Sequence, residues 1–300
     1  MAVSSAGMAK PSFQKGGAFL GRFVILLAAP RTGTTALGDA VTRAFAAGWP
    51  QEIFNEAYAD GDIDYRAASE IKYRTNFFNF RRDLFADDAN RSFPSTDNLQ
   101  FIFDSYLTYI SSVFDDRNIL LDIKYTSWHH LNGFWNYIGS EPELLKIVRG
   151  REIPIVHLTR QNLFSQYCSS VVAQKTGIWA TQDMPSVSSN NSDVGKIVIN
   201  PAQCAAMMAR VAGNRDLFEN WLRGYDIQNL VYEEMLTGSG FSSRVGEVFA
   251  RAFAAQPIEA PTTMYRKVTP PLRDVIANRE EVLAYFNETV YRPMVEEALG

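Results

Sequence analysis

From Arg22 to Ala29 the chain reads RFVILLAA, and it then turns through Pro30-Arg31-Thr32-Gly33-Thr34-Thr35 into a stretch with Leu37, Val41, Ala44 and Phe45 at helical spacing. An apolar run with no alternation predicts a strand buried on both faces, which is the pattern of a parallel sheet. Parallel neighbours need long crossovers, so this one unit of strand, tight loop and helix points to an α/β fold with helices covering the sheet.

Similar units recur. Residues 118–124 (NILLDIK) and 154–160 (PIVHLTR) predict two more strands, and residues 228–232 predict a shorter one that runs into Glu233-Glu234. A helix is expected over residues 163–176, with longer helical candidates at 99–114, 201–225 and 272–299, the last broken near Pro293. Residues 181–200 are polar and rich in Ser and Asn, and read as a mobile loop. No repeat and no shift in composition divides the chain. The expectation is a flexible tail over residues 1–20 and a single three-layer α/β domain over 21–300, its mostly parallel sheet flanked by helices.

Composition narrows the function classes. A hydrophobic share of 46% supplies a core, which excludes a disordered or collagen-like chain. The formal charge of −4 argues against a protein that coats nucleic acid, while leaving room for a local basic pocket. Two cysteines, Cys168 and Cys204, and three histidines, His129, His130 and His157, are too few for a Cys-rich zinc centre or a disulfide framework. A reducing, cytoplasmic setting is the simplest reading. No stretch approaches the ~20 apolar residues of a membrane span. The start of the chain, with Lys10 and Lys15, lacks the apolar run of a secretory signal.

The strongest local signal is the loop at residues 30–35. A loop entering a helix aims backbone N–H groups at one spot, and the helix dipole favours an anion there. Gly33 permits close approach, Thr32, Thr34 and Thr35 bring hydroxyls, and Arg31 brings a guanidinium that can fork onto phosphate or sulfate oxygens. The competing reading is an ordinary strand-to-helix turn. A nucleotide kinase or triphosphatase loop would need Gly where Ala28 stands and Lys where Thr34 stands. Asp122 looks like a magnesium-binding acid, but it falls inside its strand, which continues to Lys124. A kinase with a degenerate loop and a non-catalytic nucleotide-binding protein remain the alternatives.

The loop Arg31-Thr32-Gly33-Thr34-Thr35 resembles the 5′-phosphosulfate loop of sulfotransferases that use 3′-phosphoadenosine 5′-phosphosulfate (PAPS), and the likeness is to the bacterial trehalose-type sulfotransferases. The family's Pro-x-Glu-x-Phe block is matched by Pro50-Gln51-Glu52-Ile53-Phe54, and its strand-ending Lys by Lys124. Its 3′-phosphate motif is matched by the strand ending in Arg160 followed by Gln166-Tyr167-Cys168-Ser169. Thr176-Gly177-Ile178-Trp179 and Tyr232-Glu233 continue the series. Gln161-Asn162 stand where the family often carries an acid, and residues 74–103 match none of its blocks.

The resemblance implies a P-loop-like fold, PAPS as donor, no metal, and a hydroxyl acceptor on a carbohydrate or glycolipid; the family is often dimeric. It implies that Arg31, Thr32, Gly33, Thr34 and Thr35 hold the 5′ end of the donor, and that Arg160 and Ser169 hold its 3′-phosphate. Arg266 and Lys267 are candidates to complete the grip. Glu52 is the expected base, with His130, whose ordinary pKa suits proton transfer near neutrality, as the other candidate. Lys124 is expected to bear on the transferring sulfuryl group. Phe77, Phe78, Phe80, Trp128, Trp135 and Trp179 are read either as core or as the wall of an acceptor pocket, and His157 as core. Arg160 and Ser169 can share one phosphate only if a turn intervenes, since nine helical residues rise about 14 Å.

Overall fold

The structure is a computed structural model that describes residues 22–59, 70–86, 95–132, 140–177, 179, 181–182, 195–237, 240–262, 265–266 and 271–300. At its centre lie four strands, β1 (Phe23–Ala28), β2 (Ile119–Lys124), β3 (Ile155–Thr159) and β4 (Ile227–Val231). Their spatial order is β2-β1-β3-β4 and every neighbouring pair is parallel. All residues of β1 and β2 are buried, as their unbroken apolar runs lead one to expect.

Around the sheet run α1 (Thr34–Ala44), α2 (Phe77–Leu84), α3 (Thr96–Val113), α4 (Glu143–Gly150), α5 (Leu163–Thr176), α6 (Pro201–Trp221), α7 (Ser243–Phe253), α8 (Arg279–Phe286) and α9 (Arg292–Leu299). Successive strand side chains point to opposite faces. Ile25, Leu27, Leu121, Ile123 and Ile155 therefore pack with α3 and α4. Val24, Leu26, Leu120, Val156 and Leu158 pack with α1 and α7. A third apolar cluster joins α5, α6, α8 and α9.

The helix over 163–176 forms as expected, started by Asn162, whose side chain accepts the Ser165 N–H at 2.8 Å. Residues 272–299 break near Pro293 as expected, at 287–291, and break a second time at 276–278, where no break is expected. They form a short turn, Leu272–Val275, followed by α8 and α9. Pro293 itself stands in the first turn of α9, which needs no N–H from it. The tail over residues 1–20, Trp135, Lys267 and most of residues 181–200 lie outside the described residues, as does the side chain of Arg266.

Strand order places the site. The chain leaves β1 toward β2 on one side, crosses back over β1 to β3, and continues to β4 on the other side. The connections from the C-terminal ends of β1 and β3 thus diverge, and a crevice opens between them, which is where open α/β sheets take ligands. Along the outer side of β2, Gly48 pairs with Ile119 and Glu52 with Asp122, so the chain from 48 to 52 lies beside the strand and brings Glu52 to its C-terminal end. Among the described residues no helix is long and apolar enough to cross a membrane.

His157 on β3 is buried with its Nε2 2.5 Å from the Tyr125 hydroxyl, as the reading of a core histidine expects. Burial pushes its pKa from 6.5 down to about 4. The unfolded chain therefore binds this proton first as pH falls. Stability is expected to drop between about pH 6.5 and pH 4, by about 3 kcal/mol from this group. Urea unfolding at about pH 7 and pH 4.5 measures most of the loss, and in His157→Gln the loss is expected to be smaller by about 2.5 kcal/mol.

Candidate functional site

The loop between β1 and α1 is held in an unusual backbone shape. Arg31 has φ +66° and Gly33 φ +80°, so two left-handed residues flank Thr32. Turns of this kind direct successive N–H groups to one side and form anion-binding concavities. Gly33 occupies the N-cap of α1, no side chain caps the helix, and no acidic residue sits in its first turn. The first N–H groups of α1 therefore face the loop without a side-chain acceptor. Gly33 is required for space as well as conformation. A Cβ there would lie 2.8 Å from Cε2 of Tyr232.

The loop after β3 meets this one. Arg160, buried at the end of β3, donates from Nη1 to the Arg31 carbonyl at 3.0 Å. Arg31 in turn donates from Nε and Nη2 to Ser169 Oγ on α5, at 3.3 and 3.0 Å, and from Nη1 to the Trp179 carbonyl at 2.7 Å. Asn162 at the N-cap of α5 supplies the turn that the Arg160–Ser169 spacing demands. Gln166, one turn before Ser169 and Ser170, donates from Nε2 to the Pro30 carbonyl. Residues from two separate strand–helix units thus build one cluster.

Two residues beyond β4 complete it. The Arg160 guanidinium stacks 4.5 Å from the centre of the Tyr232 ring, the same ring that limits space at Gly33. Glu233 accepts the Gln161 and Asn162 N–H groups, both at 3.0 Å, and its carboxylate lies 4.0 Å from Arg160 Nε. The sequence presents Tyr232-Glu233 as a motif but gives no sign of these contacts. The available signal is position, since they follow β4 as Arg160 follows β3. Burial lowers the pKa of both Arg31 and Arg160, and the Arg160 charge lowers that of Arg31 further. Arg160 Nε is buried without a hydrogen-bond partner.

A second charged group lies under α1. Asp122 and Lys124, two residues apart on β2, point to the same face. Lys124 Nζ donates to both Asp122 oxygens at 2.7 Å and to Thr34 Oγ1 at 2.6 Å, all buried. Asp122 is inside the strand, as the sequence reading has it, yet it grips the lysine at the strand's end. Glu52 is half-buried beside this pair. Burial raises its pKa, the Lys124 charge lowers it, and Asp122 raises it. Thr32 turns its hydroxyl inward to the Ala29 carbonyl at 2.8 Å, so what it can offer a ligand is its backbone.

His130 has other partners. It stacks on Phe54, meets the edge of Phe78, and has Nε2 3.4 Å from Glu56. None of these partners belongs to the loop at Gly33. Burial and the neighbouring His129 lower its pKa. Trp128, Phe77 and Phe80 are core residues, while Trp179 is exposed beside Arg31. The backbone of Arg266 pairs with Thr181 in a two-stranded ribbon.

Gly33→Ala is expected to cost about 1–3 kcal/mol, from left-handed strain and displacement of Tyr232. Urea unfolding measures this. Because the same ring supports Arg160, the variant is also expected to lose stabilisation by polyvalent anions, read as a smaller thermal shift.

Comparison with known proteins adds no relative to this geometry: no protein-family model matches the chain, and no curated protein matches it.

Proposed function

We propose that this protein is a PAPS-dependent sulfotransferase on a P-loop-like fold, moving a sulfuryl group to a hydroxyl of a carbohydrate or glycolipid. One observation carries the reading. Arg31, Arg160 and Ser169 come together with the uncapped start of α1 in the crevice between β1 and β3. Two guanidinium groups, both partly stripped of water, repel each other there. Glu233 is the one carboxylate described beside Arg160, and it is committed to the N–H groups before α5. Such a cluster gains most from a ligand with several negative charges, and Arg160 Nε is a buried donor available to it. A donor nucleotide with charge at both its 5′ and 3′ positions meets these needs.

The chemistry is largely electrostatic. An acceptor oxygen attacks sulfur in line, and the bond from sulfur to the bridging oxygen breaks with its electron pair left on the 5′-phosphate. The acceptor's proton passes to a base, and the products are a sulfate ester and adenosine 3′,5′-bisphosphate. Arg31 and the N–H groups at the start of α1 stabilise the charge that grows on the departing phosphate. Glu52 is the base in this reading. Burial makes its carboxylate more basic than usual, and it stands at the C-terminal end of β2, next to the loop. The Lys124 ammonium has its three donors committed to Asp122 and Thr34, so its part is to hold Thr34 rather than to touch sulfur.

Thermal-shift titration tests the reading. Adenosine 3′,5′-bisphosphate is expected to stabilise the protein strongly and ATP with magnesium weakly, and Arg160→Ala is expected to weaken bisphosphate binding by at least about tenfold. Equal stabilisation by ADP and by the bisphosphate would remove Arg160 and Ser169 as a 3′-phosphate site. With labelled donor and cell extract, mass analysis of the sulfated product identifies the acceptor, and absence of any labelled product defeats the proposal.

Glu52→Gln is expected to slow transfer by about 10²–10⁴-fold. The wild-type rate is expected to fall on the acid side at a pH above the ordinary carboxylate range, because Glu52 must be ionised to accept the proton. A pH–rate profile with no such acid limb argues for another base.

A further inference from the structure

We propose that the Lys124 ammonium is a tethered cation that does beside this loop what a divalent metal ion does in magnesium-dependent phosphate loops, and that Asp122 is the residue that positions it. In those loops the ion lies between a hydroxyl residue at the start of the helix and an acid on a neighbouring strand. Here the acid is Asp122 and the hydroxyl is that of Thr34, one position before Thr35, which fills the metal-holding [ST] place of such a loop. Between them sits Lys124 Nζ, 2.6 Å from Thr34 Oγ1 and 2.7 Å from each Asp122 oxygen. An ammonium has three N–H groups, and these contacts account for all three. It has none left for a ligand, which distinguishes it from a lysine that grips phosphate directly.

Its effect is relayed through Thr34. That hydroxyl accepts from Lys124, so its own O–H is free to donate to another acceptor. A positive charge is thereby fixed one hydroxyl away from the anion-binding loop. The arrangement requires both residues of the pair. Without Asp122, the Thr34 hydroxyl is the one described partner left to hold Nζ beneath α1. Without Lys124, the carboxylate is buried and uncompensated. Glu52 pairs with Asp122 across the outer edge of β2, and the Lys124 charge acts on it too. Nζ thus touches a carboxylate and a hydroxyl, the hard oxygen donors that magnesium and manganese prefer, with the Glu52 carboxyl close enough to feel its charge.

Removing the ammonium should therefore turn this place into a metal site. The proposal rests on the loop at Gly33 being an anion site, as the proposed function requires. Its test reads metal binding without any nucleotide, so the two readings fail separately. Manganese is titrated into the full chain and followed by electron paramagnetic resonance. Lys124→Ala is expected to take up one ion per chain, at least about tenfold more tightly than the wild type. The double variant Lys124→Ala, Asp122→Asn is expected to return to wild-type behaviour. Thermal melts accompany the titration, because the single variant can lose stability. Magnesium is expected to raise its melting temperature and to leave the wild type unchanged. Wild-type uptake as tight as that of Lys124→Ala overturns the proposal. So does a Lys124→Ala protein that takes up no ion and melts alike with and without magnesium, or a double variant that still binds.

Discussion

The reversal of direction between β1 and β3 is the constraint on which the candidate site depends. Because the chain leaves these neighbouring strands toward opposite sides, their C-terminal ends cannot be closed by a shared connection, and the backbone there is left open to a ligand. The Arg160 bond to the Arg31 carbonyl spans that gap. It locks the two loops together and holds a guanidinium against the uncapped start of α1. The left-handed shape at Arg31 and Gly33 is stable in this setting because Tyr232 and Arg160 pack around it.

The charges of the site form two groups with different character. Arg31 and Arg160 are paired by geometry and repel by charge, with one partly exposed carboxylate to moderate them. That group has a deficit of negative charge. Asp122 and Lys124 neutralise each other behind α1, with every ammonium donor used. Thr34 belongs to both, since it opens the helix and rests on the ammonium. A ligand bound at the loop therefore meets an unbalanced pair of guanidinium groups in front and a fixed cation behind.

The Glu52 position follows from packing at the sheet edge. The chain after α1 runs beside β2, with Gly48 opposite Ile119 and Glu52 opposite Asp122. Its carboxyl is drawn out of water by the fold and balanced between a buried lysine and a buried aspartate. His130 is held by Phe54, Phe78 and Glu56 instead, beyond the end of β2. The two candidates for the base thus lie in different surroundings, and it is Glu52 that shares the charges under the loop.

Much of the framework was readable in the residues. The unbroken apolar runs of β1 and β2 require burial on both faces, and Asn162 and Gly177 bound α5 by ordinary capping. The loop's content of arginine, glycine and threonine already set the expectation of an anion site. Residues 272–299 break near Pro293 as their pattern leads one to expect, but the second break, at 276–278, holds no proline and leaves no sign in the apolar spacing. Local pattern could not decide which loops face each other, because that depends on strand order, and strand order depends on crossovers of dozens of residues. Only the tertiary structure sets Arg160 against the Arg31 carbonyl, Tyr232 against Gly33, and Lys124 between Asp122 and Thr34. Each of these contacts joins residues that local sequence rules treat as independent, and each exists because parallel strands bring distant segments to the same edge.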